Sequence, residues 1–282
     1  MNPPPPPPRR KRIRRFLLRW ILFLFALWVV VLLVMLSFEN SLVYRPTSAA
    51  EDWLAPADSR TQDVWLKFED GTKLHAWWLP HESAKGAVLV AHGNGGNLSH
   101  RGQMAAELHN TLGRSVLVFD YPGYGKSEGK PSEAGCYAAG DAAFKWLTGD
   151  RKIPAHEIVL LGESLGGGVA VELATRHDHR ALVLLQTFTS LPDAAKFHYP
   201  WLPTRTFMSN RFDNRSKIAA CKKPVYIAHG TADRVIPFSH GEELFQAANE
   251  PKRFLTMPGH DHNAFLPAEF MQGLRDFLAE VK

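Results

Sequence analysis

Cysteine is nearly absent, with Cys136 and Cys221 the only two among 282 residues. Two cysteines make no disulfide framework, so both read as buried core thiols, with a single bridge in an oxidising compartment as the alternative. No fixed-period repeat occurs, so a solenoid is not indicated. The glycine loop "VAHGNGGN" does not end in G-K-S/T, which disfavours a phosphate cradle there. Acid is missing altogether from residues 1–20, where Arg9, Arg10, Lys11, Arg12, Arg14, Arg15 and Arg19 stand. Taking those seven from the chain's 33 basic residues leaves 26 against 28 acidic, net −2. The formal charge of +5 therefore belongs to one short segment, and nothing points to a nucleic-acid partner.

What is present begins with apolar material: 45% of the residues are hydrophobic, including 17 Phe and 8 Trp. That is enough for a sizeable core and excludes disorder of the whole chain. Pro3 to Pro8 read as an extended exposed arm that can dock an aromatic groove of a polyproline-binding partner. From Trp20 to Leu36 every residue is apolar, and Ser37 and Phe38 extend the run. At ~1.5 Å per residue the run spans roughly 28 Å, close to a bilayer core. A signal peptide would have a hydrophobic region of about 7–15 residues and an A-x-A-like site, and "SFENSLVYRP" supplies none. The run reads as an uncleaved anchor, with the basic flank cytoplasmic and the body on the extracytoplasmic side. The expected division is a basic, proline-rich arm (1–15), an anchor (16–38), a linker (39–62) and a catalytic body (63–282).

The body opens with an alternating stretch around Asp70 and Gly71, a β-hairpin from Val64 to Leu79. Apolar strands then alternate with helix-length segments. The strands are "AVLVAH" (87–92), "SVLVFD" (115–120), "IVLLGE" (158–163), "ALVLLQ" (181–186), "VYIAHG" (225–230) and "RFLTM" (253–257). Helices are expected near 101–112, 132–147 and 165–176. Continuous apolar strands separated by helices predict an α/β fold, a mostly parallel sheet covered on both faces. In such sheets function gathers in loops at the strands' carboxyl ends. Residues 187–222 are too many for a simple connection, and "FHYPWLPTRTF" makes them an apolar lid.

The third parallel strand runs into Gly162-Glu163-Ser164-Leu165-Gly166, a G-x-S-x-G. Alone the pattern is weak. Between a predicted strand and helix it is the turn that exposes a nucleophile, and the glycines relieve crowding around it. Ser164 is the predicted nucleophile. "VAHGNGGN" ends the first parallel strand at the same edge, and its glycines let the backbone bend toward a substrate. Backbone N–H groups of Asn94 and Leu165 are the predicted oxyanion donors. His92 reads as a buttress of that loop. Asp233, in the loop after "VYIAHG", is the predicted acid, a capping Asp before Pro237 being the structural alternative. Asp193 and Asp213 are weaker candidates.

Two H-D-H triplets compete for the base. His177 and His179 fall at the amino edge of the sheet and read as solvated loop residues. His260 and His262 fall at the carboxyl edge, and spacing alone does not choose between them. A metal site lacks a third ligand segment, so neither metal nor organic cofactor is expected.

Together "HGNGGNLSHR", "FDYPGYGKSEG", "GESLGG", "HGTADRVIP" and "HDHN" resemble the α/β-hydrolase superfamily over nearly all of residues 60–280. In detail the chain looks like membrane-anchored relatives of depalmitoylases, lysophospholipases and monoacylglycerol lipases. The resemblance implies an α/β-hydrolase fold and a serine hydrolase. The family's G-x-x-H-N selects His262 as the base and leaves His260 a neighbour. Ala264 departs from the Asp that commonly follows that Asn. The implied reaction is hydrolysis of an ester or thioester, of lipid-like acyl substrates, through an acyl-enzyme on Ser164, His262 and Asp233. A serine peptidase on the same fold and a catalytically silent, membrane-bound interaction domain are the competing classes.

Overall fold

A computed structural model describes residues 9–68, 71–84, 86–262 and 267–281. Pro3–Pro8, Asp70 of the hairpin turn, and Asn263 and Ala264 of the histidine loop lie outside the described residues. The chain divides into two units, Met1–Leu42 and Val43–Lys282.

The first unit is built on α1 (Arg9–Ser37). It includes the basic flank ahead of residue 16, because arginine and lysine are good helix formers. By length and composition Arg12–Ser37 is sufficient to cross a membrane. Phe23, Phe25 and Leu33 are exposed along it. A five-residue helix, α2 (Glu39–Val43), follows.

The second unit is organised by eight strands, labelled here β1 (Gln62–Lys67), β2 (Lys73–Leu79), β3 (Ala87–Ala91), β4 (Ser115–Phe119), β5 (Ile158–Glu163), β6 (Ala181–Leu185), β7 (Val225–Gly230) and β8 (Lys252–Met257). Their order across the sheet is β8-β7-β6-β5-β3-β4-β2-β1. β1 and β2 pair antiparallel, Gln62 opposite Trp78 and Lys67 opposite Lys73. β2 joins β4 antiparallel. Every other pairing is parallel. The remaining helices are α3 (Gly102–Leu112), α4 (Glu133–Gly149), α5 (Leu165–Arg176), α6 (Leu191–His198), α7 (Thr204–Phe207), α8 (Asn214–Lys217), α9 (Phe238–Ala247) and α10 (Ala268–Glu280).

The parallel strands are apolar throughout because alternate side chains enter two different cores. Leu89, Leu117, Leu160 and Leu182 pack with Ala139 and Phe144 of α4, Val169 and Leu173 of α5, and Leu244 of α9. Val88, Val116, Val159 and Val183 point the other way, toward Leu108 of α3 and Phe270, Leu274 and Phe277 of α10. Truncating one such leucine to alanine costs about 2–5 kcal/mol. Packing of this kind fixes the strand ends from which the loops spring. Cys136 and Cys221 are both buried and free, and burial pushes both thiols up.

Two segments carry more structure than a connection needs. Residues 187–222 hold α6, α7 and α8, with Phe197, Tyr199, Trp201 and Phe207 exposed. After α2, Arg45–Pro46 pairs in parallel with Gly95–Gly96. Thr47 N–H donates to Gly96 O at 3.1 Å, and Gly125 N–H donates to Thr47 O at 3.1 Å. The hydrophilic triplet at the amino edge differs from its reading as solvated. His179 is 1% exposed. Its Nδ1 lies 2.9 Å from His177 O and its Nε2 3.6 Å from Cys221 Sγ. His177 stacks on Phe144 and bonds Asp141. A local sequence window does not show that Cys221, more than 40 residues on, covers His179.

Candidate active site

Ser164 sits between the end of β5 and the start of α5 at φ 51°, ψ −115°. That conformation is costly for a side-chain-bearing residue and survives only where the surroundings enforce it. Here they do. Ser164 N–H donates to Leu185 O at 2.9 Å, and Thr187 Oγ1 donates to Ser164 O at 2.7 Å. A methyl group on Gly162 would lie 2.5 Å from Gly166 O, and one on Gly166 would collide with the Ala91 carbonyl. The glycines are there because strand, turn and helix approach closer than any side chain permits.

His262 reaches this serine. Its Nε2 lies 2.9 Å from Ser164 Oγ and its Nδ1 2.8 Å from Asp233 Oδ2. The carboxylate accepts, so Nδ1 carries the proton and Nε2 is the acceptor for the serine hydroxyl. His260 makes neither contact: its Nδ1 faces Pro258 O at 3.2 Å, and its carbonyl accepts from Ala232 N–H at 3.1 Å. Of the four histidines in the two triplets, only His262 joins serine and carboxylate among the described residues.

Asp233 is held by its own loop. Oδ1 accepts from Val235 N–H at 2.9 Å and Ile236 N–H at 2.8 Å. Oδ2 also lies 3.3 Å from His229 Nε2, which faces Ile236 O at 2.9 Å. His229 Nε2 thus faces two acceptors and carries a proton. Burial works to raise the Asp233 carboxyl, but hydrogen bonds from His229, His262 and the Ile236 amide outweigh it and hold the group well below the usual carboxylate range. Asp193 and Asp213 are engaged elsewhere, with Ser190 and Arg205 and at the start of α8 respectively.

Asp261, between the two histidines, joins their loop to the acid loop. Its Oδ1 accepts from Arg234 N–H at 3.1 Å and His262 N–H at 2.8 Å, and its Oδ2 accepts from Arg234 Nε at 2.7 Å. The Arg234 side chain, the Arg234 amide and the His262 amide together lower its carboxyl to about 2.

The loop after β3 lies against the serine. A methyl group on Gly93 would stand 3.4 Å from Ser164 Cβ. Gly93 N–H points to Glu163 Oε2 at 3.4 Å, and Arg101 Nε donates to the same oxygen at 2.7 Å. His92 is fully buried behind the loop, its Nδ1 donating to Gly93 O at 2.7 Å, while Tyr121 OH donates to His92 O at 2.7 Å. Burial pushes the Tyr121 phenol well above its ordinary value, so it remains a donor. Asn94 follows, its Oδ1 accepting from Tyr124 OH at 3.1 Å. Leu165 opens α5, where the N–H has no intrahelical acceptor. Sequence reasoning missed Arg101–Glu163, Arg234–Asp261 and the second histidine on Asp233. Opposite charges within "HGNGGNLSHR" and "GESLGG", and within "HGTADR" and "GHDH", were the available signal, but pairing them needs the tertiary fold.

Residues 86–214 match the family described as alpha/beta hydrolase fold. An uncharacterized protein of Mycobacterium tuberculosis is 39% identical over 256 residues, 89% of this chain and 91% of that protein. Alpha/beta hydrolase domain-containing protein 17B of Xenopus laevis is 34% identical over 204 residues, 70% of this chain and 68% of that protein. Among solved structures, an esterase of Pyrococcus furiosus aligns with a TM-score of 0.67 at 19% identity, covering 85% of this chain and 97% of that one.

Proposed function

The chain belongs to the α/β-hydrolase fold family, and on that premise we propose that it is a membrane-anchored serine hydrolase of carboxylic esters or thioesters with lipid-like acyl groups. The observation that carries the reading is the unbroken hydrogen-bond sequence Ser164 Oγ, His262 Nε2, His262 Nδ1, Asp233 Oδ2. Ser164 Oγ attacks the acyl carbonyl while its proton passes to His262 Nε2. The carbonyl oxygen becomes an oxyanion that accepts from the backbone N–H groups of Asn94 and Leu165. Collapse expels the alcohol or thiol, which takes the proton from His262 and leaves an acyl-serine. Water then attacks the acyl group, gives its proton to His262, and releases the carboxylic acid as Ser164 is reprotonated. Asp233 keeps His262 in the accepting tautomer and stabilises its cation.

Ester chemistry is favoured by the esterase of Pyrococcus furiosus, whose fold this chain shares. A lipid-like substrate is favoured by the apolar length of α1, which by length and composition is sufficient to cross a membrane. The exposed Phe197, Tyr199, Trp201 and Phe207 suit an apolar or interfacial substrate. The arginine-rich flank of α1 favours a cytoplasmic N-terminus, and with it an extracytoplasmic body. A fluorophosphonate probe tests it. Wild-type chain is labelled and Ser164→Ala is not, and equal labelling of both removes Ser164 as the nucleophile.

A further inference from the structure

The chain leaves α1 at Ser37, turns through α2, and then runs past the candidate site instead of simply joining the body. Arg45 N–H donates to Asn94 Oδ1 at 3.0 Å. That oxygen also accepts from Tyr124 OH at 3.1 Å, so a strand and a buried tyrosine converge on one side-chain atom of the oxyanion loop. Arg45 and Pro46 pair with Gly95 and Gly96, and Ser48 bridges to Gly125. Asn97 Nδ2 donates to Thr47 O at 3.1 Å. On the other side, Tyr44, 2% exposed, donates its hydroxyl to Asn210 Oδ1 at 2.6 Å, within residues 187–222.

We propose that this juxtamembrane strap, Tyr44–Ser48, is a positioning part of the active site, holding the Asn94 loop so that the Asn94 N–H faces the oxyanion. The inference rests on the hydrolase reading given above and deepens it. The physical reason is the composition of the loop. Gly93, Gly95 and Gly96 surround Asn94, and Gly96 sits at φ +80°. Such a stretch has many accessible backbone states and cannot fix an amide direction by itself. An oxyanion donor works only if its direction is set before the charge develops. The strap supplies that order by converting a glycine loop into one strand of a parallel pair, and it pins Asn94 by its side chain while leaving its backbone to the substrate. A segment that looks like a tether is therefore continuous, through Asn94, with the chemistry.

The test uses the full-length chain in detergent micelles with a short-chain p-nitrophenyl ester. Arg45→Pro deletes the donating N–H, Arg45→Ala keeps it, and Asn94→Leu deletes the acceptor at similar size. Arg45→Pro and Asn94→Leu each lower kcat by about 10- to 100-fold, less than loss of a whole oxyanion donor, with KM within about twofold. Arg45→Ala stays at the wild-type level. Because both harmful changes break the same bond, the double variant falls no further than the worse single one. Wild-type kcat in Asn94→Leu, or losses that multiply in the double variant, overturns the proposal. If Arg45→Pro does not fold, Asn94→Leu decides by the same split between kcat and KM. Failure of the hydrolase reading shows differently, as wild-type chain that neither turns over ester nor takes up the fluorophosphonate.

Discussion

Replacing Asp233 with asparagine separates a working relay from a coincidence of hydrogen bonds. The four groups that face this carboxylate are all donors: Val235 N–H and Ile236 N–H on Oδ1, His262 Nδ1 and His229 Nε2 on Oδ2. An asparagine has one accepting oxygen and one donating NH2. Its oxygen takes the Oδ1 place, where two backbone amides at 2.9 and 2.8 Å cannot turn away. The NH2 then faces His262 Nδ1. To avoid a donor meeting a donor, the imidazole moves its proton to Nε2, and Nε2–H now points at Ser164 Oγ from 2.9 Å. The ring can no longer accept the serine proton. Loss of the right tautomer and of the counter-charge costs about 10³- to 10⁴-fold in kcat, which is about 4–5.5 kcal/mol of barrier.

The assay is turnover of a p-nitrophenyl ester by Asp233→Asn, compared with wild type at equal folded concentration. KM is expected to change little, because the defect lies in proton transfer and not in acyl binding. A thermal melt controls for folding, since the variant also weakens the acid loop. A kcat within tenfold of wild type, in a variant that melts normally, would refute the assignment of both Asp233 and the tautomer.

The two histidines of the last loop separate by the same assay. His262→Ala loses at least about 10³-fold in kcat, whereas His260→Ala, which alters a ring facing Pro258 O, stays within about threefold of wild type; the reverse order rejects the assignment. The Arg234–Asp261 clamp is read by acid stability. Asp261 titrates at about 2 in the folded chain, below the ~3.9 of an unfolded aspartate, so its contribution is complete above about pH 4 and disappears as pH falls toward 2. The melting temperature of wild type should therefore drop more steeply than that of Asp261→Asn between pH 4 and 2, and parallel curves would show that the clamp carries no linked stability.

Most of the sheet was legible because parallel strands buried on both faces leave a signal that needs no tertiary knowledge. β5 and β7 have the boundaries read from apolar runs, β3, β4, β6 and β8 shift by one residue at an end, and the hairpin begins at Gln62, two residues before the expected Val64. Glycine crowding at 162 and 166 was also legible, since only a tight strand-to-helix turn needs both. What was not legible depends on contacts between distant loops. Residues 39–62 read as a linker of mixed polarity, yet Arg45 and Pro46 form a ladder because their partners, Gly95 and Gly96, lie fifty residues on. His179 looks solvated beside Asp178, and is covered by Cys221. The spacing of His260 and His262 allowed either to face the serine. Geometry distinguishes them because the His260 carbonyl is tied to Ala232 N–H, which directs that ring away.

Most of the bonds around Asp233 come from its own strand and turn. Three donors, Val235 N–H, Ile236 N–H and His229 Nε2, belong to β7 and the turn directly after it. They would hold the carboxylate ionised in a buried place even without His262. His262 arrives from a different strand, steered by the Asp261 carboxylate, which bonds both the His262 amide and Arg234. The carboxylate beside His262 is thus held by β7 and its own turn, and His262 is held by a clamp between two loops. A buried carboxylate with the histidine as its sole donor would be more readily protonated. In the proposed mechanism the charge that stabilises the His262 cation is therefore set by groups other than His262 itself.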